Sequence, residues 1–220
     1  LVSGEYDIFV NNSMLEMVTP LAPVSVFVCH FPERGPSRHF QVQHYRHLVT
    51  NSRYTARWIE RKWGLTPTQL IYPPIERSPA PDPRRKRPLI LSAARFETGG
   101  TKHQLAMIEA FARLLRQHPE ESAGWQLVLA GGSAEDNPYL TRVRQAAALL
   151  PQGRCEIRVN IPGDELANLY AQASIFWHLC GLYQRDPARV EHFGMTTVEA
   201  MQAGAVPVVF DGGGQREVVE

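Results

Sequence analysis

The sequence predicts an α/β protein built on parallel sheet with helices over both faces. Three observations predict it. Nine short runs rich in Val, Ile and Leu recur along the chain, mostly apolar throughout rather than alternating. Segments with helical spacing lie between them; in 102–117, Leu105, Ile108, Phe111 and Leu115 mark one buried face. The two kinds of segment alternate, as strand–helix–strand units require.

In chain order, strands are expected at "YDIFV" (6–10), "VSVFVC" (24–29), "HLVT" (47–50) and "LIY" (70–72). After a break come "LILSA" (89–93), "WQLVLA" (125–130), "EIRV" (156–159), "SIFWH" (174–178) and "VPVVF" (206–210). Helices are expected at about 53–63, 102–117, 138–150, 163–173, 195–203 and from 215 on. Pro207 does not belong inside a central strand, so it is placed at the start of its own. The break, "PPIERSPAPDPRRKRP" (73–88), holds six prolines and reads as a stiff, solvated linker. Its run Arg84, Arg85, Lys86, Arg87 reads as solvated charge, with a membrane-surface or localisation patch as the alternative. The expected organisation is the C-terminal part of one Rossmann-like domain (1–75, with the linker to about 88) and a second domain at 76–220. The opening at Leu1 and the close at Glu220 read as the ends of a fragment, with the second domain truncated at its C-terminus.

Composition narrows the function classes. The chain has 220 residues, 44% hydrophobic and 20% charged, with a net charge of +1. Near-neutrality argues against nucleic acid as a partner, because phosphate binding leaves a strongly basic footprint. Three widely spaced cysteines, Cys29, Cys155 and Cys180, with no CxxC, fit a reducing cytoplasm better than a disulfide framework or zinc site. No apolar run approaches the roughly 20 residues of a membrane helix, and no signal peptide is evident.

The chemistry lies in the second half. In "AARFETGGTKHQ" (93–104), Arg95 falls just past the C-terminal end of a strand, where open α/β sheets bind ligands. The loop runs through Gly99 and Gly100 to Thr101, which forms a capping-box pattern with Gln104. That pattern puts Lys102 in the first helical turn, unfavourable for a cation by about 0.3–1 kcal/mol. A phosphate bound at the helix N-terminus reverses the argument; a lysine pointing into solvent is the alternative.

A second cradle follows at "ARVEHFGMTTVEAM" (188–201). The Phe193–Gly194 turn exposes the backbone N–H groups of Met195, Thr196 and Thr197 at a helix start. Glu191, beside that cradle, would repel a bare phosphate and suits neutral sugar hydroxyls; a plain surface loop residue is the alternative. Glu199 suits a ribose diol, although with Thr196 it also matches a capping box. A ligand with a ribose, phosphates and a second sugar is a nucleotide sugar.

These residues resemble the donor site of retaining nucleotide-sugar glycosyltransferases of the GT-B fold, the large family-4 group. "EHFGMTTVEAMQAGAVPVVFDGGGQREVV" (191–219) carries the family's Glu-x7-Glu motif on Glu191 and Glu199. "NSRYTARWIERKWG" (51–64) with "IYPP" (71–74), "ARFETGGTKHQLAMIEAF" (94–111), "LVLAGG" (127–132) and "ELANLYAQASIFWHLCG" (165–181) agree in order. The resemblance implies that Arg95 and Lys102 grip the diphosphate, Glu191 contacts the transferred sugar and Glu199 the ribose. It also puts Gly131, Phe193, Gly194, Met195, Thr196 and Thr197 among the donor-binding residues. His178 and Gly181, in the loop after a donor-side strand, join them, with Gly181 admitting the sugar closely. His30, in "VFVCHFP" (26–32), would touch that sugar from the opposite wall; a satisfied strand-end histidine is the alternative. One departure is visible: the family commonly places four residues between its Arg and Lys, whereas six lie between Arg95 and Lys102.

The implied activity is transfer of a hexose from GDP- or UDP-hexose to a glycan, a lipid-linked acceptor or a surface polysaccharide, with retention by front-face attack. Neither an Asp-x-Asp motif nor a metal-ligand cluster is evident, so no metal or cofactor is expected and cationic side chains stabilise the leaving diphosphate. Cytoplasmic location follows, with the inner face of the membrane as a variant. A glycosidase using Glu191 and Glu199 leaves the phosphate loops unexplained. A dinucleotide oxidoreductase lacks its GxGxxG. A non-catalytic nucleotide-binding module remains the alternative.

Overall fold

The computed structural model describes residues 2–13, 18–32, 39–76 and 80–219. The chain divides into two compact units, Leu1–Pro74 with Asp186–Gly194 and Gly212–Glu220, and Ile75–Arg185 with Met195–Asp211.

The first unit holds a parallel sheet in the order β1 (Ile8–Asn11), β2 (Val24–Cys29), β3 (His47–Thr50), β4 (Gln69–Leu70). Helices α1 (His39–Val42) and α2 (Arg53–Trp63) accompany it. Phe27, Cys29, Val42, Tyr45, Leu48, Ile59 and Trp63 form its core. The bounds of α2 follow from real caps. Ser52 accepts from the Thr55 N–H at 3.0 Å, and Gly64 ends the helix at φ +66, a conformation that favours glycine.

The second unit holds a five-stranded parallel sheet: β5 (Arg87–Ala93), β6 (Gln126–Gly131), β7 (Cys155–Val159), β8 (Ala173–His178) and β9 (Val206–Val209). Their spatial order is β7-β6-β5-β8-β9. The order reverses between β5 and β8, the position where open α/β sheets form a ligand crevice at their C-terminal ends. The helices are α3 (Gln104–Gln117), α4 (Pro138–Ala148), α5 (Gly163–Gln172) and α6 (Met195–Gln202). Two cores lie on opposite faces because successive strand residues alternate. Leu89, Leu91, Ala93 and Val128 join Tyr170, Phe176 and Ala200, whereas Ile90, Leu127 and Leu129 join Met107, Phe111 and Val143. Pro207 sits second in β9, an edge strand, where a missing donor is tolerated.

Several expectations are corrected. Helix α3 begins at Gln104, not 102, and Thr101 and Gln104 form no capping box. Two left-handed residues intervene, Gly100 at φ +63 and His103 at φ +57. Thr101 donates instead to the Glu97 carboxylate. Gln104 is buried and spends its amide on the Arg95 carbonyl at 3.1 Å, while accepting from the Tyr139 hydroxyl at 3.1 Å. The helix expected from 215 is a 3₁₀ turn, Gly213–Glu217. Of the supposed solvated linker, residues 77–79 lie outside the described residues, and its last part is tied down. Lys86 Nζ donates to the Ala173 carbonyl at 2.7 Å beyond the end of α5, and burial lowers its pKa. Arg85 donates to Asn168 at 2.7 Å, and Arg84 pairs with Asp82 at 3.0 Å. By contact, 186–194 and 212–219 group with the first unit.

Among the described residues, no helix is long and apolar enough to cross a membrane. Cys29, Cys155 and Cys180 take part in no disulfide, and burial pushes Cys155 up to about 12.

Candidate functional site

In the second unit a cavity of about 410 Å³ opens where β5, β6 and β7 end. Arg95, Gly131, Asn160, Leu166 and Thr196 line it, so three of the residues singled out in the sequence, Arg95, Gly131 and Thr196, come together there. Its rim is fixed by backbone and amide bonds. Ala94 N–H donates to Ala130 O at 2.9 Å and Phe96 N–H to Gly132 O at 2.8 Å, carrying the β5 loop along the end of β6. Asn160, at φ +53, accepts from the Ser133 N–H at 2.9 Å and donates back to its carbonyl at 3.0 Å. Asn137 donates to Phe96 O and caps α4. Gly131 has a steric reason to be glycine: a Cβ there would lie 2.0 Å from the Ala94 carbonyl oxygen.

Arg95 leads the loop after β5, its side chain 78% exposed and 2.9 Å from Glu97. An exposed guanidinium held by one carboxylate can exchange that partner for phosphate oxygens, which match its fork equally well. Lys102 lies outside the helical turn expected for it. Its Nζ stands 3.5 Å from Cys180 Sγ, in the loop after β8. The next residue, His103, meets Tyr183 edge-on with ring centroids 6.4 Å apart, and both have left-handed backbones. The loops after β5 and β8 are thus joined at the reversal of strand order. Arg95 and Lys102 both stand there, although only Arg95 lines the cavity. His178 is the last residue of β8 and buried, not a loop residue, and Gly181 turns at φ +105.

Helix α6 starts at Met195, so Thr196 lies inside its first turn and cannot be the N-cap of a capping box. Thr197 is fully buried and Met195 is 44% exposed. The Glu199 carboxylate does not reach back to the helix start; it accepts from the Tyr170 hydroxyl at 2.8 Å. Burial and the Glu199 charge raise the Tyr170 pKa far above its ordinary value, so this hydroxyl stays a donor.

In the first unit, Glu191 sits on a segment clasped from two sides. Its carbonyl accepts from Gly214 N–H at 2.8 Å, and a Cβ on Gly213, at φ +64, would lie 2.1 Å from that oxygen. The neighbouring His192 ring stacks on Phe31 at 4.2 Å and 5°. Phe193 stacks on Tyr72 at 5.4 Å, and Gly194 turns at φ +104 against the buried Gln215. His30 is exposed, with Nε2 2.8 Å from Asn12 Oδ1. Glu97, Asn160, Tyr170 and Glu217 carry no signal in the sequence, because their partners are distant in sequence or belong to no short motif.

Residues 75–220 match the model of the glycosyl transferases group 1 family, and the chain belongs to that family. It is similar to the human GDP-Man:Man(3)GlcNAc(2)-PP-Dol alpha-1,2-mannosyltransferase, 30% identical over 180 residues, 77% of this chain and 35% of that protein. The enzyme of the same description from Dictyostelium discoideum is 32% identical over 162 residues, 67% of this chain and 30% of that protein. The chain therefore spans about a third of the length of these curated relatives. Among solved structures, Anabaena HepE in complex with UDP and glucose matches with a TM-score of 0.75 at 19% identity, covering 100% of this chain and 63% of its own. The pneumococcal O-GlcNAc transferase GtfA in complex with UDP and GlcNAc gives 0.62 at 16%, covering 89% and 39%. The fold is accordingly of the GT-B class, with Rossmann-like parallel sheets. Among the described residues, no group of three His, Cys, Asp or Glu is arranged to hold a metal ion.

Proposed function

We propose that the protein moves a hexose from a nucleoside diphosphate sugar to an acceptor hydroxyl with retention of configuration and without a metal ion. The observation that carries this is the cavity at the strand ends of a group 1 glycosyl transferase domain, lined by Arg95, Gly131 and Thr196. The relatives named above support GDP-mannose as donor and a lipid-linked oligosaccharide as acceptor. Such an acceptor favours work at a membrane surface, on its cytoplasmic side.

In this reading Arg95 and Lys102 supply fixed positive charge to the departing diphosphate, together with the N–H groups at the start of α6. Fixed charge of this kind lowers the barrier because it needs no rearrangement as the sugar–phosphate bond breaks. Glu199 binds the ribose, and Glu191 binds hydroxyls of the transferred sugar, a role that rests on the family motif. The test is incubation of the full-length protein with GDP-mannose and a lipid-linked acceptor, with the new anomeric bond assigned by NMR. Mannose transferred in the α configuration supports the proposal. An inverted product refutes retention, and nucleotide binding without transfer to any acceptor supports a binding module instead.

A further inference from the structure

We infer that Tyr170 is a positioning residue for the Glu199 carboxylate, holding one of its oxygens so that the rest of the carboxylate is set for a vicinal diol. The inference rests on the reading that Glu199 meets the ribose. Tyr170 lies near the end of α5 with its ring buried among Leu91, Phe176 and Ala200, and Phe176 is 5.9 Å away. Core packing fixes the ring, and the ring fixes the hydroxyl, which reaches Glu199 Oε2 at 2.8 Å. A glutamate on a helix surface otherwise samples several rotamers, and ordering it is a cost that falls on ligand binding. Tying Oε2 in advance removes much of that cost. It leaves Oε1, with both lone pairs, to accept from a ligand hydroxyl. Tyrosine also suits this task better than serine, because its rigid ring carries the donor across from one helix to the next. Burial keeps the hydroxyl protonated, so the arrangement persists across the neutral pH range.

A tyrosine that merely satisfies its own buried hydroxyl predicts no effect on ligand choice, and this separates the two accounts. The experiment measures the affinities of GDP, 2′-deoxy-GDP and inorganic pyrophosphate for the parent, Tyr170→Phe, Glu199→Gln and the double variant. The expected result is a parent that prefers GDP over 2′-deoxy-GDP. In Tyr170→Phe that preference narrows by about three- to tenfold, the loss of one good hydrogen bond, with pyrophosphate affinity unchanged. In the Glu199→Gln background the Tyr170→Phe change should have no further effect on the preference. A Tyr170→Phe variant with the parent's full preference overturns the positioning role while leaving the ribose reading intact. A parent that binds GDP and 2′-deoxy-GDP alike overturns the ribose reading, and this inference with it. If Tyr170→Phe does not fold, 3-fluorotyrosine at 170, a stronger donor in the same place, replaces it: a preference shifted from the parent's upholds the positioning role, and an unshifted one overturns it.

Discussion

The Glu217 carboxylate accepts the backbone N–H of Tyr54 at 2.7 Å, although 163 residues separate them. The same group accepts the Arg53 N–H at 2.8 Å and the Tyr72 hydroxyl at 3.1 Å. With Ser52 taking the Thr55 N–H, the first three donors of α2 are all satisfied, two of them by a residue from the far end of the chain. The 3₁₀ turn carrying Glu217 also carries Gly213 and Gly214, which pack on the carbonyls of Glu191 and His192. Glu217 is therefore a link between the start of α2 and the segment bearing Glu191.

Removing that link should be felt in stability. Glu217→Ala leaves two helix N–H groups without their carboxylate and costs about 1–2 kcal/mol, read from the midpoint of urea unfolding. Glu217→Gln keeps one carbonyl acceptor and should lose about half as much. A midpoint equal to the parent's in Glu217→Ala would show that water replaces the carboxylate without loss.

Gly131 and Gly132 are neighbours with different constraints. A Cβ on Gly131 would strike the Ala94 carbonyl oxygen at 2.0 Å, whereas one on Gly132 meets only Asn160 Oδ1 at 3.6 Å. Gly131→Ala should cost about 1–3 kcal/mol of stability, because backbone must move. Gly132→Ala should stay within about 0.5 kcal/mol of the parent. Thermal melts of the two variants check the contrast, and equal losses would contradict the steric account.

Arg95 offers the opposite pattern, since it contributes to binding and little to folding. Its pair with Glu97 is exposed, worth about 0–1 kcal/mol. Arg95→Ala should melt near the parent yet weaken GDP by about 1.5–3 kcal/mol, with guanosine almost unaffected. Calorimetric titration with both ligands measures this. Equal losses for GDP and guanosine would take Arg95 away from the phosphates.

Tyr170 predicts an alkaline signature. Burial first, then the Glu199 charge and hydrogen bond, raise its pKa, so the folded state keeps the phenolic proton above pH 10 while the unfolded state loses it. The unfolded chain then binds fewer protons, and stability falls as pH rises above about 10. Tyr170→Phe removes one such proton, so its stability should fall less steeply there, by up to about 1.4 kcal/mol per pH unit. Urea unfolding at pH 9 and 11 checks the slopes; identical slopes would contradict the raised pKa.

Much of this architecture is legible in the sequence, and for identifiable reasons. Strands β2 and β3 and helix α2 have the bounds the sequence implies, because apolar runs and caps such as Ser52 and Gly64 act locally. The start of α3 is not legible, since its capping pattern competes with tertiary bonds: Gln104 serves the Arg95 carbonyl and Tyr139, and His103 takes a left-handed backbone that residue type does not announce. In the site, Arg95, Gly131 and Thr196 stand out as loop and helix-start residues and do line one cavity. The partners that hold such residues are silent in sequence. Nothing in "ELANLYAQ" ties Tyr170 to Glu199, and nothing around Glu217 points to α2. Those contacts depend on how strands and helices are ordered in space, which periodicity does not encode.

The central claim is that a nucleoside diphosphate sugar binds through cationic side chains and helix N–H groups, with no metal ion between protein and phosphate. Calorimetric titration of the protein with GDP-mannose in excess EDTA tests it most directly. Saturable binding, unchanged when magnesium or manganese replaces the chelator, is the predicted result. Binding that vanishes in EDTA and returns with either metal would contradict it.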